Sequence, residues 1–375
     1  MNKRGNNFIS IEPYEDWQVK KAIESLIEDN KFLLTVSSHL YPKLTKILPT
    51  LAKSIFKQTF AKSFKSSQTI EEFQKNLVPF VERMIDRTTK NFTYSGVENL
   101  SSRSTLYVSN HRDIALDSLF LNYVRFLEGY KTVRIAIGSN LLDGGFSEKL
   151  MRLNKSFVVH RNIKGVRETY KILQKLSSYI DKSIKADKES VWIAQREGRA
   201  NDGNDFTDTA ILKMLYLSCR KKMNLKEWLL RVNLTPVSIS YEYDPLDITK
   251  AIGWEGWEDL SERENNERDL QELVSGITGD KGRVHLHICK AITSIPKDLE
   301  GLANDIDKEI ITNYRLWPSN YIAAKECNLL DQNSSTEKEF FDTFFLKRFE
   351  DLDPDVIQKT LKIYATPYVN SKEIV

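Results

Sequence analysis

Near residue 104 the period of the hydrophobic pattern changes, and this change constrains the fold more than any other feature of the chain. Upstream, apolar residues recur at three- and four-residue steps through Ile23, Leu26, Ile27, Phe32 and Leu33, then through Ile55, Phe56, Phe60 and Phe64. That is the spacing of one buried helical face. Downstream come short runs rich in β-branched and apolar residues: TLYVSN, TVRIAIGSN, SFVVHR, SVWIAQ, TPVSISYEY and RVHLHIC. Each has the length and composition of a buried strand. Helical patterns separate them, among them DSLFLNYVRFLEG and VRETYKILQKLSSYIDKSIK. Strands alternating with helices predict an α/β fold with a mostly parallel central sheet flanked by helices. Pro42 and Pro49 should divide the upstream region into the short helices of an N-terminal bundle. Beyond residue 293 the pattern turns helical again, as a C-terminal extension. The expected organisation is a helical region over 1–95, an α/β domain over 96–300 and a helical extension over 301–375.

Composition narrows the classes. Hydrophobic residues at 41% and charged residues at 29% belong to a folded chain rather than a disordered one. Cys219, Cys289 and Cys327 are scattered and odd in number, so neither a disulfide nor a zinc site is expected, and no cofactor is implied. No run approaches the length of a spanning helix, and the start of the chain lacks the apolar core of a signal peptide. The expected location is cytoplasmic, with peripheral contact to the inner face of the membrane. Between Asp29 and Glu71 there is no acid, while Lys31, Lys43, Lys46, Lys53, Lys57, Lys62 and Lys65 stand among Phe, Leu, Ile and Tyr. Residues 31–65 therefore suit an anionic bilayer surface, each cation near it adding roughly 1 kcal/mol. An acidic carrier protein, or solvent alone, would suit the same face.

The sharpest chemical feature is SNHRDIALDS, residues 109–118. His111 follows a strand-like run and precedes an apolar helix, so it sits at the carboxyl end of a strand, where α/β sheets gather ligands. Asp113 and Asp117 follow two and six residues later. A carboxylate bonded to one ring nitrogen fixes the imidazole tautomer and leaves the other nitrogen to accept a proton. A surface histidine beside a helix-capping aspartate fits the same residues. Next, SFVV ends in His160 and Arg161, with Lys155 close by, a cationic strand end that suits a phosphate. Then VWIAQ runs into Arg196, Glu197, Gly198 and Arg199, where a glycine lets backbone approach a ligand. Last, LTPVSISYEYDP supplies a strand with Pro236 near its start.

These features, in this order, resemble the glycerophospholipid acyltransferase superfamily, the glycerol-3-phosphate and 1-acylglycerol-3-phosphate acyltransferases. The resemblance covers roughly residues 100–295. The family's first motif is a histidine and an aspartate separated by four residues; here five residues separate His111 from Asp117, with Asp113 as the alternative acid. Phe157 and Arg161 are similar to its second motif, and Glu197, Gly198 and Arg199 match part of its third, with Ala200 where a serine is usual. Pro236 matches the fourth. The resemblance implies a general base, His111, partnered by Asp117 or Asp113. It also implies acceptor contacts from Arg161, Arg199, Glu197, Gly198, His160, Lys155 and Arg112. The implied partners are an acyl donor, as coenzyme A thioester or acyl carrier protein, and a glycerol-phosphate acceptor. A serine hydrolase on the same layers would need a G-x-S-x-G elbow, which neither Ser109 nor Ser118 has. A non-catalytic lipid- or nucleic-acid-binding module is the other alternative. Near-balance of 55 basic and 52 acidic residues argues against nucleic acid as a partner.

Overall fold

The computed structural model describes residues 11–139, 145–160, 163, 165–253, 262–330 and 343–374. In chain order, five helices come first: α1 (Asp16–Ile27), α2 (Asn30–Leu40), α3 (Pro42–Ile47), α4 (Pro49–Phe64) and α5 (Ile70–Thr88). Strands β1 (Asn91–Ser95) and β2 (Leu106–Ser109) lead to α6 (Leu116–Leu127). Then follow β3 (Arg134–Gly138), α7 (Phe146–Leu153), β4 (Ser156–Val159), α8 (Val166–Lys185) and β5 (Val191–Ala194). Helices α9 (Thr209–Tyr216) and α10 (Leu225–Val232) precede β6 (Thr235–Tyr241), and α11 (Asp247–Ile252) and α12 (Glu262–Thr278) precede β7 (Arg283–Ile288). The chain ends in α13 (Leu299–Thr312), α14 (Pro318–Glu326), α15 (Thr343–Lys347) and α16 (Pro354–Glu373). The fold is α/β with mostly parallel pairing. It divides into two compact units, residues 1–84 with 134–163 and residues 85–133 with 164–375.

In the smaller unit the prolines act as punctuation. Pro42 and Pro49 each open a helix at its first turn, where a missing N–H costs nothing and a fixed φ is already helical. Asp29 caps α2 by accepting from the Phe32 amide at 3.0 Å. The periodic phenylalanines meet: Phe32 lies 5.4 Å from Phe56, 5.1 Å from Phe60 and 5.5 Å from Phe146, and Phe64 lies 5.0 Å from Phe73. Burying each ring contributes about 1.5–3 kcal/mol, so this row holds the helices together. Strands β3 and β4 pair in parallel. On the outer side of the helices, Leu34, Leu40, Ile47, Leu48, Leu51 and Ile55 are exposed.

The larger unit is built on strands in the order β1-β7-β6-β2-β5. β6, β2 and β5 run parallel, β7 is antiparallel to β6, and β1 is parallel to β7. β1, with the sequence NFTYS, was not among the expected strands. It is a partly exposed edge strand without the apolar run that marks a buried one. Because β6, β2 and β5 are parallel neighbours, their carboxyl ends emerge side by side. Helix α14 packs on α16 around Tyr243, Phe345, Phe349, Tyr364 and Tyr368. α16 also presses on the loop after β5: at Gly203, with φ of 77°, a Cβ would lie 2.2 Å from the Ile363 carbonyl oxygen. Glycine alone fits there.

Candidate active site

β2 ends at Ser109, and the next side chain continues its ladder. Asn110 is fully buried; its Nδ2 donates to the Ile239 carbonyl at 2.9 Å and its Oδ1 accepts from the Ile239 amide at 2.9 Å. The side-chain amide thus acts as one more rung against β6, which lets the backbone turn away before His111. The His111 ring then meets Asp117 in the first turn of α6, Nδ1 to Oδ2, at 2.9 Å. The same Oδ2 accepts from the amides of Arg112 at 2.7 Å and Asp113 at 3.1 Å. Oδ1 accepts from the Tyr241 hydroxyl at the end of β6, at 2.7 Å. The Asp117 side chain is 1% exposed, and burying a carboxylate costs several kcal/mol unless donors replace water, as these four do. His111 is 13% exposed. With Nδ1–H donating to the Asp117 carboxylate, Nε2 is the accepting nitrogen, and it has no hydrogen-bond partner among the described residues. The ring stands edge-on to Trp192, 5.7 Å away, and Trp192 Nε1 donates to Ser109 Oγ at 2.9 Å.

Asp113 does something else. Its Oδ1 accepts from the amides of Ala115 and Leu116, both at 2.9 Å, and so caps α6. Its Oδ2 is buried without a hydrogen-bond partner among the described residues, against Gly276 of α12, where a Cβ would lie 2.1 Å from it. Burial pushes this carboxyl up, and the neighbouring Asp117 adds to the push; the Leu116 and Ala115 amides and Arg199 oppose it. Both readings of the motif are therefore realised at once, by different acids: Asp117 meets the histidine and Asp113 caps the helix.

The loop is tied down around the histidine. Ala200 donates its amide to the His111 carbonyl at 2.8 Å, which brings the loop after β5 alongside. The Arg112 guanidinium faces inward and donates to Asp205 and, at 3.1 Å, to the Gly203 carbonyl, with Tyr314 beneath it at 5.4 Å. Burial alone would lower the Arg112 pKa, but Asp205, Tyr314 and Asp244 together more than offset it, so the cation is kept. The Arg112 carbonyl accepts from buried Lys250 at 2.7 Å, and Lys250 also pairs with Asp244 at 2.5 Å. Arg199 turns inward too: its Nη2 donates to Glu272 of α12 at 2.5 Å, and its Nη1 is buried without a hydrogen-bond partner among the described residues. Gly198 has φ of 77° and open space around it, and Glu197 is exposed. His160, just beyond β4, is exposed, and Lys155, just before β4, is half-buried with φ of 61°. Both belong to the smaller unit. Arg161 lies outside the described residues.

A histidine with one nitrogen on a sealed carboxylate and the other unbonded, at the joined ends of parallel strands, can take a proton from an alcohol. Residues 91–220 match the family model described as Acyltransferase. Over that stretch, which takes in β2, the His111 loop and β5, the chain is similar to the acyltransferase family. Its structure is similar to the crystal structure of the 1-acyl-sn-glycerophosphate (LPA) acyltransferase PlsC from Thermotoga maritima. The two are 15% identical over 77% of this chain and 93% of that one, with a TM-score of 0.39. No curated protein matches the sequence significantly. Within the matched stretch the sequence pattern does not mark Trp192 and Asp205, and beyond it neither does it mark Tyr241, Lys250 and Glu272. A tyrosine ending a buried strand, as Tyr241 does, needs a partner for its hydroxyl, and that was the available signal. Among the described residues no group of three or more His, Cys, Asp or Glu is arranged to hold a metal ion.

Proposed function

We propose that the protein moves a fatty acyl group from an acyl thioester, of coenzyme A or acyl carrier protein, to a hydroxyl of glycerol 3-phosphate or 1-acylglycerol 3-phosphate. The observation that carries this reading is the contact between His111 Nδ1 and the sealed Asp117 carboxylate, with Nε2 unbonded among the described residues. Nε2 takes the acceptor's hydroxyl proton as the alkoxide oxygen attacks the thioester carbonyl; the thiolate leaves and takes up a proton. The thioester is already activated, so no covalent enzyme intermediate is needed. Arg161, His160 and Lys155 are proposed as acceptor contacts on the sequence resemblance. For Arg199, a phosphate would have to replace the Glu272 carboxylate that its guanidinium now holds. The deciding experiment supplies both donors and both acceptors to the pure protein and identifies lipid products by mass spectrometry. New acyl-glycerophosphate from the wild type and none from His111→Ala is the expected result. Thioester hydrolysis at the same rate without any acceptor would defeat the transferase reading.

We also propose that α3 and α4 hold the protein on an anionic bilayer from its cytoplasmic face. Ile47 is 75% exposed and Leu48 and Leu51 about half exposed, around the turn that Pro49 opens. Lys43 and Lys46 are exposed beside them, and Lys57 is already paired with Glu28 at 2.8 Å. Apolar tips flanked by lysines are the composition of an interfacial anchor. No helix among the described residues is long and apolar enough to cross a membrane.

A further inference from the structure

We infer that Tyr241 is a positioning residue, whose hydroxyl ties the Asp117 carboxylate to β6 and so holds the His111 ring at its working angle. The inference rests on the reading of His111 as general base. The donors to Asp117 divide by origin. His111, Arg112 and Asp113 all bond Oδ2, and all three belong to the loop that carries the histidine. They move with that loop and cannot fix it against the sheet. Tyr241 bonds Oδ1, and it comes from another strand, 124 residues further along the chain. It is buried, and its ring lies 6.2 Å from Phe120 of α6, the helix that bears Asp117. Burial, reinforced by Asp117 and Asp113, keeps the phenol pKa well above its ordinary value, so the hydroxyl remains a donor wherever the enzyme is assayed. Without it, Oδ1 has no donor in a place sealed from water, and the carboxylate is free to turn on its three remaining bonds. Asn110 anchors the start of the loop to β6 at Ile239. Tyr241 lies two residues further along the same strand and anchors the end of the loop.

The test is a double-mutant cycle on Tyr241→Phe and Asp117→Asn, because phenylalanine keeps the ring's packing and removes only the hydroxyl. Tyr241→Phe should lower kcat about tenfold and leave KM for donor and acceptor within about twofold. In the Asp117→Asn background the same change should cost less than about twofold, since the group it acts through has already lost its charge. The ring nitrogen NMR signals of His111 give a readout independent of turnover, and they should shift in Tyr241→Phe. A wild-type kcat in Tyr241→Phe, or an equal loss in both backgrounds, would overturn the inference. Unmoved ring signals in the folded variant would do the same. Wild-type turnover in His111→Ala would remove the general-base reading and this inference with it, whereas loss there without coupling at Tyr241 removes this inference alone.

Discussion

The loop around His111 and the turn between α3 and α4 break opposite halves of the same rule. In the larger unit, charged and polar side chains are sealed inside: Arg112, Asp113, Asp117, Lys250 and Glu272 are all buried. In the smaller unit, Ile47, Leu48 and Leu51 stand in water although Ala52, Phe56, Phe60 and Phe64 of α4 are buried. Each departure costs free energy, and the two are offset differently. Each buried group has a donor or ion-pair partner from within, although Arg112 Nε, Asp113 Oδ2 and Glu272 Oε1 have none among the described residues. The exposed apolar groups have no such compensation among the described residues of their unit, and a bilayer would supply it. Where a chain departs from the partition of polar out and apolar in, the kind of compensation separates a site for chemistry from a site for attachment.

The contrast can be broken first at the chemistry. His111→Ala should cut kcat by about a thousandfold or more with the fold intact by circular dichroism. Asp117→Asn should follow it down by about a hundredfold, while Asp113→Asn, which keeps a capping oxygen, should cost less than about tenfold. Equal losses in the two aspartate variants would erase the division of labour between them. Next comes the internal compensation itself. Arg199→Ala leaves Glu272 buried without its partner and should destabilise the protein by about 3 kcal/mol in urea unfolding, with most of that recovered when Glu272 is also replaced by methionine. Full stability in Arg199→Ala would mean that the pair does not hold the loop. The exposed turn should respond oppositely. Leu48→Glu with Leu51→Glu should leave melting unchanged and lower binding to anionic vesicles about tenfold or more, as measured by sedimentation.

The smallest effect concerns Lys281, fully buried after α12. It donates to the Thr88 hydroxyl at 3.0 Å and to the Ile277 and Gly279 carbonyls at 3.1 and 2.7 Å. Burial lowers its pKa from 10.5 to about 8, against the pull of Asp113 and Asp280. The folded pKa lies below the unfolded one, so between about pH 8 and 10.5 the unfolded chain binds more protons. Lys281 therefore adds a term that raises stability with pH across that window. Melting temperatures at pH 8 and pH 10 should rise more in the wild type than in Lys281→Met; parallel curves would remove this residue from the account.

Much of this was legible in the residues because it is local. Strand runs with alternating helices led to the α/β architecture, and Pro42 and Pro49 marked the helix starts at which they are found. His111 was visible because a strand, a polar turn and an apolar helix follow each other within one short segment. The choice between Asp113 and Asp117 was not, since both lie within reach of a turn whose path depends on its contacts. Arg199 read as a free cation because its partner, Glu272, is 73 residues away. Tyr241, Lys250 and Asp205 were hidden for the same reason: each matters through an atom delivered from another part of the sheet. β1 escaped because an edge strand with one wet face does not need an apolar run.

The rung that Asn110 makes with Ile239 carries a cost of its own. A ladder built from backbone tolerates nearly any side chain, since every residue except proline brings the same donor and acceptor. This rung needs a donor and an acceptor on one short side chain, and of the twenty residues asparagine alone has that pair at that reach. Aspartate would set its carboxylate against the Ile239 carbonyl, and leucine of similar size would leave the Ile239 amide and carbonyl both unanswered. The residue before His111, itself sealed from solvent, is thus a point of mutational fragility, and a laboratory screen for lost activity should find it as readily as the histidine.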